Sequence, residues 1–455
     1  MVFSTLTFIV LFLPIFLLVY FCVPKRYVKA RNLVLLLFSL LFYAAGEPVW
    51  VVLLIFSASC DCLIGLFMEK YQGKWQPKVL LTISLCCSLG LLVLFKYTEF
   101  LLGLVGIQVM FALVLPIGIS FYTFQTMSYA IDVYKGKIKA QRSPLAFLTY
   151  VAMFPPLVAG PIIRYADVEH MLTERDTNLK KVSAGISRFI MGLGKKVIFA
   201  NHAGVVANEL LGTANMSTQA IWVGLIMFMF QIYFDFSGYS DMAIGLGKII
   251  GFDFKENFEH PYESRSITEF WRRWHISLGN FFRNYLYIPL GGNRKRAVFN
   301  IMVVWMATGL WHGASVNFVL WGLYFGVILI IEKYFLSGFL QKIPRFFSHL
   351  YCLFIVLFGW LIFYFTDMGQ LRLAAGRFWG MGGFLTDYHA TELLLANIWI
   401  LLIFAIFSTR KPFKILQITN ARWPIAQPVF NLMVLSISFM LLIGQTFSPF
   451  IYFRF

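Results

Sequence analysis

The sequence predicts an all-α polytopic integral membrane protein, and three observations carry that expectation. Of the 455 residues, 59% are hydrophobic and only 13% charged, against roughly 45–50% apolar and 25% charged in a soluble domain. Mean hydropathy over the chain is +0.75. Apolar runs also recur from end to end, at 3–23, 33–45, 49–68, 79–95, 145–159, 221–234, 300–323, 350–365, 393–407 and 429–444. Runs of about 20 residues can span hydrocarbon as helices, and the shorter ones must be tilted, re-entrant or sheltered by protein. About eleven spanning helices and some partial ones are expected. Without a linker, repeat or low-complexity tract, they form one domain over 1–455.

The run 3–23 does not read as a cleavable signal peptide. It has no basic region before it and no small-residue cleavage site after it, and it contains Pro14. Lys25, Arg26, Lys29 and Arg31 follow it, which favours an outside N-terminus and a cytoplasmic first loop. Further basic clusters at 70–78, 135–142, 180–196, 272–296 and 410–414 make the +17 net charge an orientation charge, so no nucleic-acid partner is expected. The six cysteines show neither zinc nor CxxC spacing and are expected as buried apolar thiols.

The longest polar intervals, 164–196 and 248–296, keep aromatics and helical periodicity, as amphipathic or re-entrant helices do. Within 266–282 a Ser-Ile-Thr start precedes Glu269, a helix N-terminal signal. Trp271, Trp274, His275, Leu278 and Phe282 then recur at 3–4 spacing. Such a helix would lie in the interface, or dip inward with His275 facing a cavity.

Chemistry-bearing residues concentrate in the central third. His312 is the lone ionisable side chain of the run 300–323, flanked by Gly309, Gly313 and Ala314. An ionisable group at bilayer depth is costly and by default functional, and small neighbours let backbone or substrate approach. Asp235 and Asp241 sit in a Gly-rich apolar segment, where a helix cap or an arginine partner is the alternative to a site role. His275 beside two arginines is as readily structural as catalytic on spacing alone. The G-x-S-x-G elbow, the Walker loop and HExxH are all absent, so neither a nucleotide nor a metal is expected. Group transfer then needs an activated thioester or lipid-linked donor.

Six ordered runs make a specific resemblance: LPIGISFYTFQTMSYAIDVY (115–134), FPPLVAGPIIR (154–164), YFDFSGYSDMAIGLG (233–247), SITEFWRRWHISL (266–278), YLYIPLGGNRK (285–295) and GLWHGAS (309–315). Together with the opening segment and the ending SPFIYFRF, they resemble the membrane-bound O-acyltransferase (MBOAT) family over nearly the whole chain. The match is closest to the bacterial branch that O-acetylates alginate and peptidoglycan. That resemblance implies a ring of tilted helices around a tunnel, with the motif-rich core at about 115–325 and a tail at 446–455. By position it implies His312 as the intramembrane catalytic histidine and His275 as its partner.

Acyl transfer to a hydroxyl needs a base and an oxyanion donor. Neutral His312 suits the first role, and His275, Trp311 or Asn280 could serve the second, with Asp241 nearby in the motifs. The donor the resemblance implies is acetyl-CoA as co-substrate, no cofactor being bound. Arg272, Arg273, Arg294, Lys295 and Arg296 are available to its phosphates, unless they are orientation charge. The branch also implies a bacterial plasma membrane, a polysaccharide acceptor and a separate extracytoplasmic SGNH-type partner. Tyr452 in the tail could relay the acyl group, the alternative being an aromatic interfacial anchor. D-alanyl transfer to teichoic acid, and a transporter or flippase with His312 in a proton relay, are the competing functions.

Overall fold

The computed structural model describes residues 2–107, 114–213, 216–444 and 450, and among these every regular element is a helix. Seven of the described helices are long and apolar enough to cross a membrane, and Thr7–Cys22 and Ala297–His312 are shorter apolar helices. Two compact units result: Met1–Ile190 with Tyr239–Glu256, and Met191–Gly238 with Asn257–Phe455.

The first unit contains α1 (Leu13–Cys22), α2 (Val28–Ala44), α3 (Trp50–Lys70), α4 (Gln76–Leu92), α5 (Ile119–Tyr134), α6 (Pro144–Ala152) and most of α7 (Leu179–Gly194). Pro24 follows the end of α1, and Arg31 reaches back from α2 to donate Nε and Nη2 to the Val23 carbonyl at 3.0 and 2.9 Å. A cation there satisfies a carbonyl that lies beyond the helical ladder and faces the negative end of the helix dipole. Phe154 is packed by Phe12, Phe16 and Phe42, with ring centroids 5.6, 5.1 and 5.5 Å away. The run 145–159 is not one span, because Pro155 and Pro156 follow the nine residues of α6, which is largely buried.

The 33-residue α8 (Thr218–Ile250) gives its first part to the second unit and its last to the first. The glycines of its central motif do not interrupt it. A Cβ on Gly245 would stand 2.6 Å from the Gly185 carbonyl, so glycine there lets the α7 and α8 backbones touch.

The second unit carries α9 (Ile267–Arg273), α10 (Ile276–Phe282), α11 (Ala297–His312), α12 (Val316–Ile331), α13 (Arg345–Tyr364), α14 (Met368–Phe378), α15 (Tyr388–Phe407) and α16 (Ala426–Gly444). Helices α11 and α12 form a hairpin whose backbones nearly touch. A Cβ on Gly309 would lie 2.2 Å from the Phe318 carbonyl, and one on Gly322 2.4 Å from that of Trp305. Helix α13 then packs against α12.

Two expectations need correction. The segment 266–282 is not one helix but α9 and α10, broken at Trp274 and His275, where His275 takes a left-handed φ of 46°. The thiols are not all buried in protein: Cys62 and Cys352 are, whereas Cys22, Cys86 and Cys87 are exposed on apolar helices. In a bilayer an apolar thiol needs no protein around it, since lipid tails solvate it as well as a core does.

Candidate active site

His312 is the last residue of α11, and the chain turns sharply after it into extended backbone at Gly313. A Cβ on Gly313 would stand 2.2 Å from the Phe318 ring, so only glycine fits where the α11–α12 connection folds back. The imidazole is 7% exposed. Its ring centroid lies 5.0 Å from those of Trp311 and Trp321 and 5.3 Å from that of Phe363. An aromatic wall of this kind holds the ring edge-on and keeps bulk water away from it.

His275 is reached through α9, whose two ends are fixed by different parts of the chain. At the N-terminus, the Ser266 hydroxyl accepts from the Glu269 N–H at 3.1 Å, and Glu269 accepts from the Arg265 N–H at 2.9 Å. Glu332, buried at the end of α12, accepts from the N–H groups of Ile267 and Thr268 at 2.6 and 2.8 Å and from the Thr268 hydroxyl at 2.7 Å. At the C-terminus, the Glu259 N–H donates to the Arg273 carbonyl and the Ile276 N–H to the Asn257 carbonyl, both at 2.9 Å. These last bonds draw the chain out of helical geometry at His275.

The His275 ring is packed by Phe236 at 4.7 Å and Trp311 at 5.8 Å. It lies outside the spanning helices, and burial pushes its pKa down to about 3, so the ring is neutral at physiological pH. Trp311 thus packs on both histidine rings, 5.8 Å from one and 5.0 Å from the other, and does not itself line the cavity that they share.

Both histidines form part of the wall of one cavity of about 1160 Å³, with Trp271, Trp274, Asn280, Trp305 and Thr308. Its basic side chains are Arg265, Arg272, Arg283 and Lys333, and its acids are Glu269 and Glu332. A pocket of this size, with aromatic and charged side chains on one wall, suits a polar small-molecule substrate.

The cavity thus brings together His312, His275, Asn280 and Arg272. Arg273 instead pairs with Glu269 at 2.5 Å and Glu263 at 3.8 Å, and Arg294, Lys295 and Arg296 do not line the cavity. Asp241, in the first unit, pairs with Arg188 at 2.6 Å, and Arg188 also holds Glu256 at 2.5 Å. Asp235 pairs with a buried lysine, Lys196, at 2.5 Å. Tyr452 lies outside the described residues. Phe450, two positions earlier, is buried with its ring 4.7 Å from the Lys196 Nζ. Sequence reasoning missed Arg283, Lys333 and Glu332. The Glu-Lys pair closing an apolar helix is the only signal that could have found the last two.

Residues 38–369 match the model of the membrane-bound O-acyltransferase family. The chain is 38% identical to the "Probable alginate O-acetylase AlgI" of Pseudomonas putida, over the full length of both proteins. It is 33% identical to the peptidoglycan O-acetyltransferase of Helicobacter pylori, over 73% of this chain and 70% of that one. Similarity to the teichoic acid D-alanyltransferase of Bacillus subtilis is lower, 29% over 48% of this chain and 59% of that one. A full-length match of this kind, on a helical chain with several membrane-spanning segments and two histidines on one cavity wall, has one conclusion: the chain belongs to the membrane-bound O-acyltransferase family and is a multi-pass membrane O-acyltransferase.

Proposed function

We propose that this enzyme takes an acetyl group from acetyl-CoA on the cytoplasmic side of a bacterial plasma membrane. It passes the group outward for O-acetylation of a cell-envelope polysaccharide, alginate-like or peptidoglycan. The observation that carries this reading is the single cavity walled by His312, His275 and a basic rim, in a chain similar along its whole length to an alginate O-acetylase.

In this reading His312 is the general base. The acceptor hydroxyl oxygen adds to the thioester carbonyl carbon while His312 takes its proton. The tetrahedral oxyanion collapses, the C–S bond breaks, and the thiolate recovers the proton. Imidazole, whose ordinary pKa lies near 6.5, is the side chain best suited to take and return a proton near neutral pH. Arg272, together with Arg283, Arg265 and Lys333 on the same wall, supplies charge for the donor phosphates.

The acetyl group then needs a carrier on the outer face. A serine of a separate extracytoplasmic SGNH-type partner is that acceptor, and Tyr452 of the tail is a relay to it. The lower similarity to a D-alanyltransferase makes acetyl the expected acyl group. The test supplies purified protein with radiolabelled acetyl-CoA or with a D-alanyl thioester and measures thioester cleavage. Turnover of acetyl-CoA alone supports the proposal, and preference for the D-alanyl donor overturns it.

A further inference from the structure

Asn257 is completely buried and stands at the break between α9 and α10. Its side-chain oxygen collects three contacts: the Ser277 N–H at 3.1 Å, the Ser277 hydroxyl at 2.8 Å and the His275 Nδ1 at 3.2 Å. The Ser277 backbone N–H can only donate, so it pins the carbonyl end of the Asn257 amide at this point. The lone hydroxyl proton of Ser277 is then committed to Oδ1 at 2.8 Å, not to the imidazole at 3.5 Å. A bare Nδ1 would oppose its lone pair to those of Oδ1 at 3.2 Å. A protonated Nδ1 makes the contact a hydrogen bond. The other ring nitrogen, Nε2, is buried and has no hydrogen-bond partner among the described residues.

We infer that Asn257 is a positioning residue that fixes His275 in the Nδ1–H tautomer, leaving Nε2 as a bare acceptor in a ring of the cavity wall. A neutral ring in this tautomer cannot donate to an oxyanion from Nε2. His275 therefore receives a hydrogen bond from the reacting partners, and the oxyanion donor is sought elsewhere on the wall. There the Trp271 indole N–H is buried and has no partner among the described residues. The ionisable groups of the same wall nearest in role are His312, Glu269, Arg272, Arg283, Glu332 and Lys333. The rings packed on His275 from other elements are Phe236, Phe258 and Trp311, none of them charged. Burial alone accounts for the low proton affinity of this imidazole.

The inference rests on the acyl-transfer reading of this cavity, but its first test needs no turnover. Full-length protein carrying ¹⁵N-histidine, reconstituted in lipid, is compared by solid-state NMR with His275→Gln, and the difference isolates the His275 ring. The expected spectrum has a protonated Nδ1 and a bare Nε2 at neutral pH. A protonated Nε2 would overturn the assignment, whether or not the protein turns over acetyl-CoA.

The second test is Asn257→Asp. It keeps the acceptor contacts but adds a charge that favours imidazolium, raising the His275 pKa. The acid limb of acetyl-CoA cleavage, read as free thiol with N-acetylserine amide as acceptor, then moves to higher pH. In ¹⁵N spectra of the same variant the His275 Nε2 becomes protonated at a higher pH than in the parent. An Nε2 titration that superimposes on that of the parent contradicts the positioning role.

Discussion

Glu332 holds Thr268 twice: one carboxylate oxygen accepts from its backbone N–H at 2.8 Å and from its hydroxyl at 2.7 Å. The other oxygen takes the Ile267 N–H at 2.6 Å. A buried charge on a spanning helix is thereby matched to the N-terminal N–H groups of a short helix that leads to His275. Helix N-termini favour anions, and donors left without a partner in a buried site are costly.

Replacing Glu332 by Gln tests how far that anchor holds α9. One acceptor becomes an NH₂ group facing backbone donors, and the charge is lost. The expected cost is about 1.5–3 kcal/mol, the usual range for a hydrogen bond to a charged group. Thermal unfolding of the purified variant in detergent checks it, and an unchanged midpoint would mean that α9 is fixed by other contacts.

The basic wall separates two sets of cations. Arg272 and Arg283 line the cavity, whereas Arg294, Lys295 and Arg296 do not. Changing either of the first two to Gln should raise the apparent KM for acetyl-CoA by roughly ten-fold or more, the equivalent of one charge-assisted hydrogen bond. Gln at 294, 295 or 296 should leave it within about two-fold of the parent. Steady-state thiol release against donor concentration decides between the two sets.

Arg188 bridges Asp241 and Glu256, so Arg188→Gln removes the cation that the two carboxylates share in the first unit. Stability should fall by about 1–3 kcal/mol. Asp241→Asn should act in the same direction with less effect and leave kcat/KM near the parent value. A selective loss of kcat in folded Asp241→Asn protein would return Asp241 to the site.

The relay proposed for Tyr452 predicts alkali-labile label on the parent after incubation with radiolabelled acetyl-CoA, and none on Tyr452→Phe. An aromatic anchor at the interface tolerates the lost hydroxyl. Label that persists in Tyr452→Phe therefore removes the relay and leaves the transferase.

The helical membrane architecture was legible in the sequence because hydropathy is a local signal, and His312 stood out there as a lone ionisable residue in an apolar run. The break at His275 was not, since the apolar spacing of 266–282 runs straight through it. What bends the chain is Asn257, 18 residues away in the sequence. Glu332 reads locally as an interfacial charge closing an apolar helix, and its partners lie 64 and 65 residues earlier. Asp241 shows the opposite case. It belongs to one of the motif runs, but it pairs with Arg188, 53 residues earlier, which closeness along the chain does not reveal. Contacts made across the fold, not propensity, assign these residues their roles.

The most direct test of the central claim is acetyl transfer by purified parent and His312→Ala proteins in nanodiscs, with radiolabelled acetyl-CoA and matched thermal stability. A base in this position predicts a loss of roughly 10²–10⁴-fold in kcat with the fold retained. A folded His312→Ala enzyme that transfers acetyl at the parent rate would contradict it.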